Sequence, residues 1–95
     1  MNNWKEKQFN KGVGQALKLA RRHAGKNQDD IAKVLGVART SVTNMEAGRQ
    51  AISLYHAALI AEVLPEFSGN LTQRALDEKP SSRSLIQRLL AAFRQ

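Results

Sequence analysis

Between Gly36 and Gly48 the chain reads GVARTSVTNMEAG, and within it stand Arg39, Thr40, Thr43 and Asn44. These four side chains share one chemistry. An Arg guanidinium donates two hydrogen bonds to the O6 and N7 edge of a guanine, and an Asn carboxamide pairs in the same two-bond way with adenine N6 and N7. A Thr offers a hydroxyl and a methyl that meets the methyl of thymine. Ala38, Ser41 and Ala47 are small neighbours that let a helix approach such edges closely. A merely solvated helix face has the same polarity, so the spacing and the surrounding charge have to separate the two readings.

Placed on a helical wheel at about 100° per residue, Ala38, Val42 and Met45 fall on one side, which must face a core. Thr40, Thr43, Asn44 and Ala47 fall opposite, with Arg39 flanking them near the N-terminal end. Upstream, NQDDIAKVL predicts a second helix with Asn27 as N-cap, Asp30 three residues later, and Asp29 and Asp30 opposing the helix dipole. Ile31, Ala32, Val34 and Leu35 supply its buried side, and Gly36 stops it. A short Gly-containing turn joins two helices at a steep angle and leaves the start of the second projecting outward.

Further elements must hold this pair. Val13, Ala16, Leu17, Ala20 and Ala24 form one helical stripe that Phe9 extends, with Gly25 after it. Ser53 is the expected N-cap of LYHAALIAEVL, which ends at Pro65; Leu54, Ala57, Ala58, Ile60, Ala61 and Leu64 are among its apolar residues. PEFSGNLTQRALDEKPSS is rich in turn formers, with room for one helical turn around Leu71–Leu76. After Pro80, Ser81 or Ser82 opens a last amphipathic helix carrying Leu85, Ile86, Leu89, Leu90 and Phe93 on one face. No run alternates with period two, so the fold class is all-α. The expected organisation is a basic N-terminal arm (1–12), a helical domain (13–64), a linker (65–80) and a C-terminal amphipathic helix (81–95). In the arm, Trp4 and Phe9 serve as anchors, while Lys5, Lys7 and Lys11 are available to phosphates.

The totals agree with a small binding domain. The chain has 95 residues, 42% of them hydrophobic and only 5% aromatic, so its core is built mainly of Ala, Leu, Ile and Val. The net charge is +7, which favours an acidic partner. It is also uneven. Residues 1–56 hold ten Lys or Arg against four Asp or Glu, and residues 57–95 hold five against four. Absence of cysteine excludes disulfides and cysteine-based zinc or redox chemistry and fits a reducing compartment. No apolar run approaches the ~20 residues of a membrane span, and the start MNNWKEKQFNKG lacks the apolar centre of a signal peptide; a soluble, cytoplasmic protein is expected. His23 and His56 are the only histidines and have no companion ligands, so no metal and no cofactor are expected. With no phosphate loop and no nucleophile beside a base, neither is enzymatic activity.

The stretch QDDIAKVLGVARTSVTNMEA, Gln28 to Ala47, resembles the helix-turn-helix domain of the lambda-repressor/Cro type, the XRE family. Gln28 opens the first helix of the pair, Ala32 sits four residues on, and Gly36 stands at the turn. Ile31, Leu35, Val37, Val42 and Met45 occupy the family's apolar positions, and Glu46 to Gly48 match its Glu-x-Gly ending. The resemblance covers about Val13 to Leu64. It implies a compact five-helix domain, here with a C-terminal helical extension, in which Arg39–Ala47 is the recognition helix. Arg39, Thr40, Thr43 and Asn44 would then face base edges. Asn27, Gln28, Ser41, Arg49 and Gln50 would touch the DNA backbone, with Gln28 bracing Arg39. Arg21 and Glu46 would form a structural ion pair. One departure is Ala38, where the family often has a Ser or Thr N-cap.

The function these features imply is a sequence-specific, DNA-binding transcriptional regulator. It would be a homodimeric repressor that reads a palindromic operator in double-stranded DNA. Leu85, Ile86, Leu89, Leu90 and Phe93 would make the dimer interface, although the same face suits capping of the core or a different protein. Two alternatives stand beside it: an antitoxin-like interaction module whose C-terminal segment binds a toxin or other protein partner, and a controller of a restriction-modification operon.

Overall fold

A computed structural model describes residues 3–76 and 89–92. Five helices follow one another: α1 (Asn3–His23), α2 (Gln28–Leu35), α3 (Arg39–Glu46), α4 (Leu54–Val63) and α5 (Glu66–Leu76). Residues 89–92 are helical as well, and no strand occurs among the described residues. The core lies where α1 packs on α3 and α5, α2 on α3 and α4, and α4 on α5. Leu17, Ile31, Val42, Met45, Ile60, Leu64, Phe67 and Leu71 are its largest buried side chains.

The helix-turn-helix pair forms for local reasons. Asn27 caps α2 in a reciprocal box: its Oδ1 accepts from the Asp30 amide at 2.8 Å, and its own amide donates to Asp30 Oδ2 at 2.9 Å. Gly36 ends the helix at φ 69° and donates back to its last turn. Val37 then folds inward against the core, donating to the Ala32 carbonyl at 3.0 Å. Helix α3 starts one residue later, from an Ala38 in extended conformation that has no side-chain cap. Ser53 caps α4 by accepting from the His56 amide at 3.1 Å.

Two expected boundaries are corrected. Within the segment 1–12, residues 3–12 are not a separate arm, because they are the first turns of α1. Phe9, Gly12, Val13 and Gly14 turn inward, so the earlier turns already have a face to bury. Gly14 permits a backbone approach that no other residue would: a Cβ there would sit 2.2 Å from the Met45 carbonyl oxygen and 2.8 Å from that of Glu46. The stretch 65–80 is not wholly a linker, because α5 spans Glu66–Leu76. Phe67 and Leu71, one helical turn apart, are fully buried, which stabilises by roughly 1.5–3 kcal/mol each. Asn70 is buried between them and donates from Nδ2 to the Ala16 carbonyl at 3.3 Å and to Glu66 Oε2 at 3.1 Å. Val34 and Ala38, expected inside, lie on the surface.

Candidate nucleic-acid interface

Helix α3 is short, and what fixes it is a polar network at its inner end. Glu46 is buried, and its carboxylate takes two bonds from Arg21: Nε to Oε2 at 2.6 Å and Nη2 to Oε1 at 3.1 Å. Only 11% of the Arg21 side chain and 4% of that of Glu46 are exposed, so this is a desolvated, two-point pair. The third side of the guanidinium donates from Nη1 to the Lys26 carbonyl at 2.9 Å. Gln28 completes the set. Its Nε2 donates to Glu46 Oε1 at 3.0 Å, and its Oε1 accepts from the Thr43 hydroxyl at 2.8 Å. Among the described residues no buried side-chain polar atom lacks a partner. A buried ion pair satisfied on this scale does not itself guarantee stability. It does define where α3 sits on α1 and α2.

The outer side of α3 carries the four residues singled out for base contact. Arg39, Thr40 and Thr43 are exposed and Asn44 is half-buried. Thr43 reaches inward to Gln28 and to the Arg39 carbonyl at 3.2 Å. Asn44 Oδ1 accepts from Arg49 Nε at 3.2 Å, and its backbone carbonyl accepts from the amides of Arg49 and Gln50 at 2.9 and 3.2 Å. The ridge therefore leads directly into the loop after α3. That loop turns at Gly48, whose φ of 80° and approach to Lys11 (a Cβ would lie 2.7 Å from its Cα) exclude a side chain. Ser41 and Gln50 are half-buried, Arg49 exposed.

The expected brace from Gln28 to Arg39 is replaced by other contacts. Gln28 engages Thr43 and Glu46 instead of Arg39, and the group near Arg39 is Asp29, with Oδ2 at 4.0 Å from Arg39 Nη1. Asn27 commits its carbonyl oxygen to the capping box, which leaves its Nδ2 hydrogens as the part able to meet an anion. Asp29 was read from the sequence only as a helix-start charge. Its nearness to Arg39 depends on the angle between α2 and α3, which no local signal encodes. The uncapped first turn of α3 leaves backbone N–H groups unsatisfied by any side chain, a favourable end for an acceptor or a phosphate oxygen.

A second polar cluster lies elsewhere, between α1 and α5. His23 Nδ1 and Glu66 Oε2 are 2.6 Å apart at the surface. The Asn70 hydrogen bond does most to hold the Glu66 carboxyl below its ordinary range; desolvation opposes it, and the bond and charge of His23 add to the lowering. Its place on the fold gives it a clasping role between two helices. Leu89 and Leu90 are half-buried: Leu90 packs on the core and Leu89 borders an apolar cleft with Phe9, Ile52 and Phe67. Leu85, Ile86 and Phe93 lie outside the described residues.

Two short helices set by a tight Gly turn, the second clamped from beneath and polar on its outer side, define a helix-turn-helix DNA-binding domain. The helix-turn-helix family model matches residues 17–69, more than half of the chain. The chain belongs to the lambda-repressor/Cro-type, or XRE, helix-turn-helix family and is a DNA-binding transcriptional regulator of that type. No curated protein and no solved structure matches it. Among the described residues no helix is long and apolar enough to cross a membrane, and no group of three or more His, Cys, Asp or Glu is gathered as for a metal ion.

Proposed function

We propose that the protein is a homodimeric, cytoplasmic repressor that reads a palindromic operator through the major groove and occludes a promoter. Arg39, Thr40, Thr43 and Asn44 select bases. Asn27, Gln28, Ser41, Arg49 and Gln50 bind phosphates and set the register, supplying most of the affinity. The observation that carries this reading is the polar ridge of α3 standing on the buried Arg21–Glu46–Gln28 network, since a base-reading helix must be held rigidly from below. The twofold contact is assigned to the C-terminal residues Leu85, Ile86 and Phe93, since Leu90 packs on the chain's own core and Leu89 borders its apolar cleft.

The test is selection of sites from a random double-stranded DNA pool at near-physiological salt. The expected product is an inverted repeat with half-sites about one helical turn, ~34–36 Å, apart. Arg39→Ala should cost about 1–3 kcal/mol and relax preference at one base pair per half-site. Salt-sensitive binding without any enriched sequence would refute sequence-specific recognition. Removal of residues 81–95 should yield a monomer; if a dimer persists, the C-terminal contact is wrong.

A further inference from the structure

Beside the recognition helix lies an open groove of about 730 Å³, lined by Glu6, Lys7, Asn10 and Lys11 of α1 and by Ala47, Gly48, Arg49 and Ala51 of the following loop. We infer that Lys7, Lys11 and Arg49 form a rigid phosphate seat, which extends the DNA contact beyond the helix-turn-helix pair onto the first half of α1. The inference rests on the DNA-binding reading and adds a site to it.

Three features carry it. First, Lys7 and Lys11 are one helical turn apart, so they share a face of α1. Like charges at that spacing repel and weaken a helix, which the fold itself has no use for and an anion relieves. Second, all three cations are exposed, and among the described residues no carboxylate lies within ion-pair distance of any of them. Glu6 on the groove removes one of three positive charges and leaves the seat cationic. Third, the seat is built firmly. The Gly48 backbone rests against the Lys11 backbone, and Arg49 is tied through Nε to Asn44 Oδ1 at 3.2 Å. The groove is thus continuous with the base-reading ridge, and a strand whose bases meet Asn44 passes its phosphates over it. The lysines are carried by a helix and not by a flexible arm, so less conformational entropy is lost when they bind.

The experiment compares the full chain with a Lys7→Gln/Lys11→Gln double variant on two probes: the duplex enriched by selection and a mixed-sequence duplex. Affinity is measured across a salt series. Each phosphate contact contributes about 0.9 to the slope of log K against log salt, so the double variant should bind both duplexes more weakly, with a slope lower by about 2 and unchanged base preference. Unaltered helicity by circular dichroism establishes that the variant is folded. A Lys7→Glu/Lys11→Glu variant should weaken binding further in the same direction. An unchanged slope in both variants, with wild-type selectivity intact, overturns the seat and leaves the DNA-binding reading standing. If the wild-type chain binds neither duplex, both fall together.

Discussion

Replacing Glu46 with Ala should be among the most damaging single changes in the molecule. It removes the acceptor of two Arg21 bonds and one Gln28 bond, leaving a guanidinium whose side chain is only 11% exposed. Breaking a buried pair from one side costs about 3–5 kcal/mol, because a desolvated charge is left without a partner. Arg21 keeps its bond to the Lys26 carbonyl, which places the expectation at the lower end, about 3 kcal/mol. At roughly 0.05–0.15 kcal/mol per residue, a chain of this length has about 5–14 kcal/mol in total. The loss is therefore a large fraction and corresponds to a fall in Tm of roughly 12–24 °C. Urea unfolding followed by circular dichroism measures it, with an unchanged m-value as the sign that stability alone has altered. The apolar double replacement Arg21→Met/Glu46→Leu should recover most of the loss, since it leaves no unpaired charge. A cost below about 1 kcal/mol for Glu46→Ala, the value of a solvated surface pair, would refute the reasoning that this network clamps α3.

Gly14→Ala should destabilise by about 1–3 kcal/mol and weaken DNA binding in gel-shift titrations, because its Cβ would press on the Met45 and Glu46 carbonyls; Gly69→Ala, whose Cβ meets nothing within 4 Å, should stabilise by about 0.5–1 kcal/mol. Ala38→Ser should add the missing α3 cap and raise stability by about 1 kcal/mol in denaturant titration. Glu66 titrates below its ordinary 4.5 in the folded chain, so the unfolded chain takes the proton first, and its contribution is complete above that value and lost as pH falls through the folded pKa. Glu66→Gln should accordingly lower the urea midpoint at neutral pH, with the gap to wild type closing in acid; a gap independent of pH would count against the clasp. Thr43→Val should keep base preference while Thr43→Ser loses it, as read by competition between selected sites, if the methyl makes the contact.

Local chemistry made the middle of the chain legible. The Asn27–Asp30 box, Gly36 and Ser53 each act within a turn of the boundary they set, so α2 and the start of α4 could be read residue by residue. The first half of α1 was obscured by Gly12 and Gly14, which lower helix propensity. Gly14 is required by the approach of α3 and not by α1 itself. Helix α5 was obscured in the same way, since Ser68, Gly69 and Asn70 read as a turn. Its helix is held by the burial of Phe67 and Leu71 and by the Asn70 bond to α1, all tertiary. Within the site, the polar face of α3 was legible from periodicity. The Arg21–Glu46 pair came only through family resemblance, because a separation of 25 residues carries no local signal. The contacts of Gln28 and Asp29 depend on the crossing of α2 and α3 and were out of reach.

That crossing gives the site a direction. Ionised Glu46 only accepts hydrogen bonds, so it draws the Gln28 amide nitrogen toward itself, as the 3.0 Å contact records. The Gln28 carbonyl oxygen must then face away from Glu46, where it accepts from Thr43 at 2.8 Å. Thr43 has one hydroxyl hydrogen, and both acceptors within reach, Gln28 Oε1 and the Arg39 carbonyl, belong to the protein. What Thr43 can offer a base is therefore its methyl group and an oxygen lone pair, and not a donated proton. The buried Arg21–Glu46 pair thus orients Thr43 on the outer ridge through Gln28. A helix with few apolar residues can have a side chain of its outer face, Thr43, oriented by the buried network beneath it.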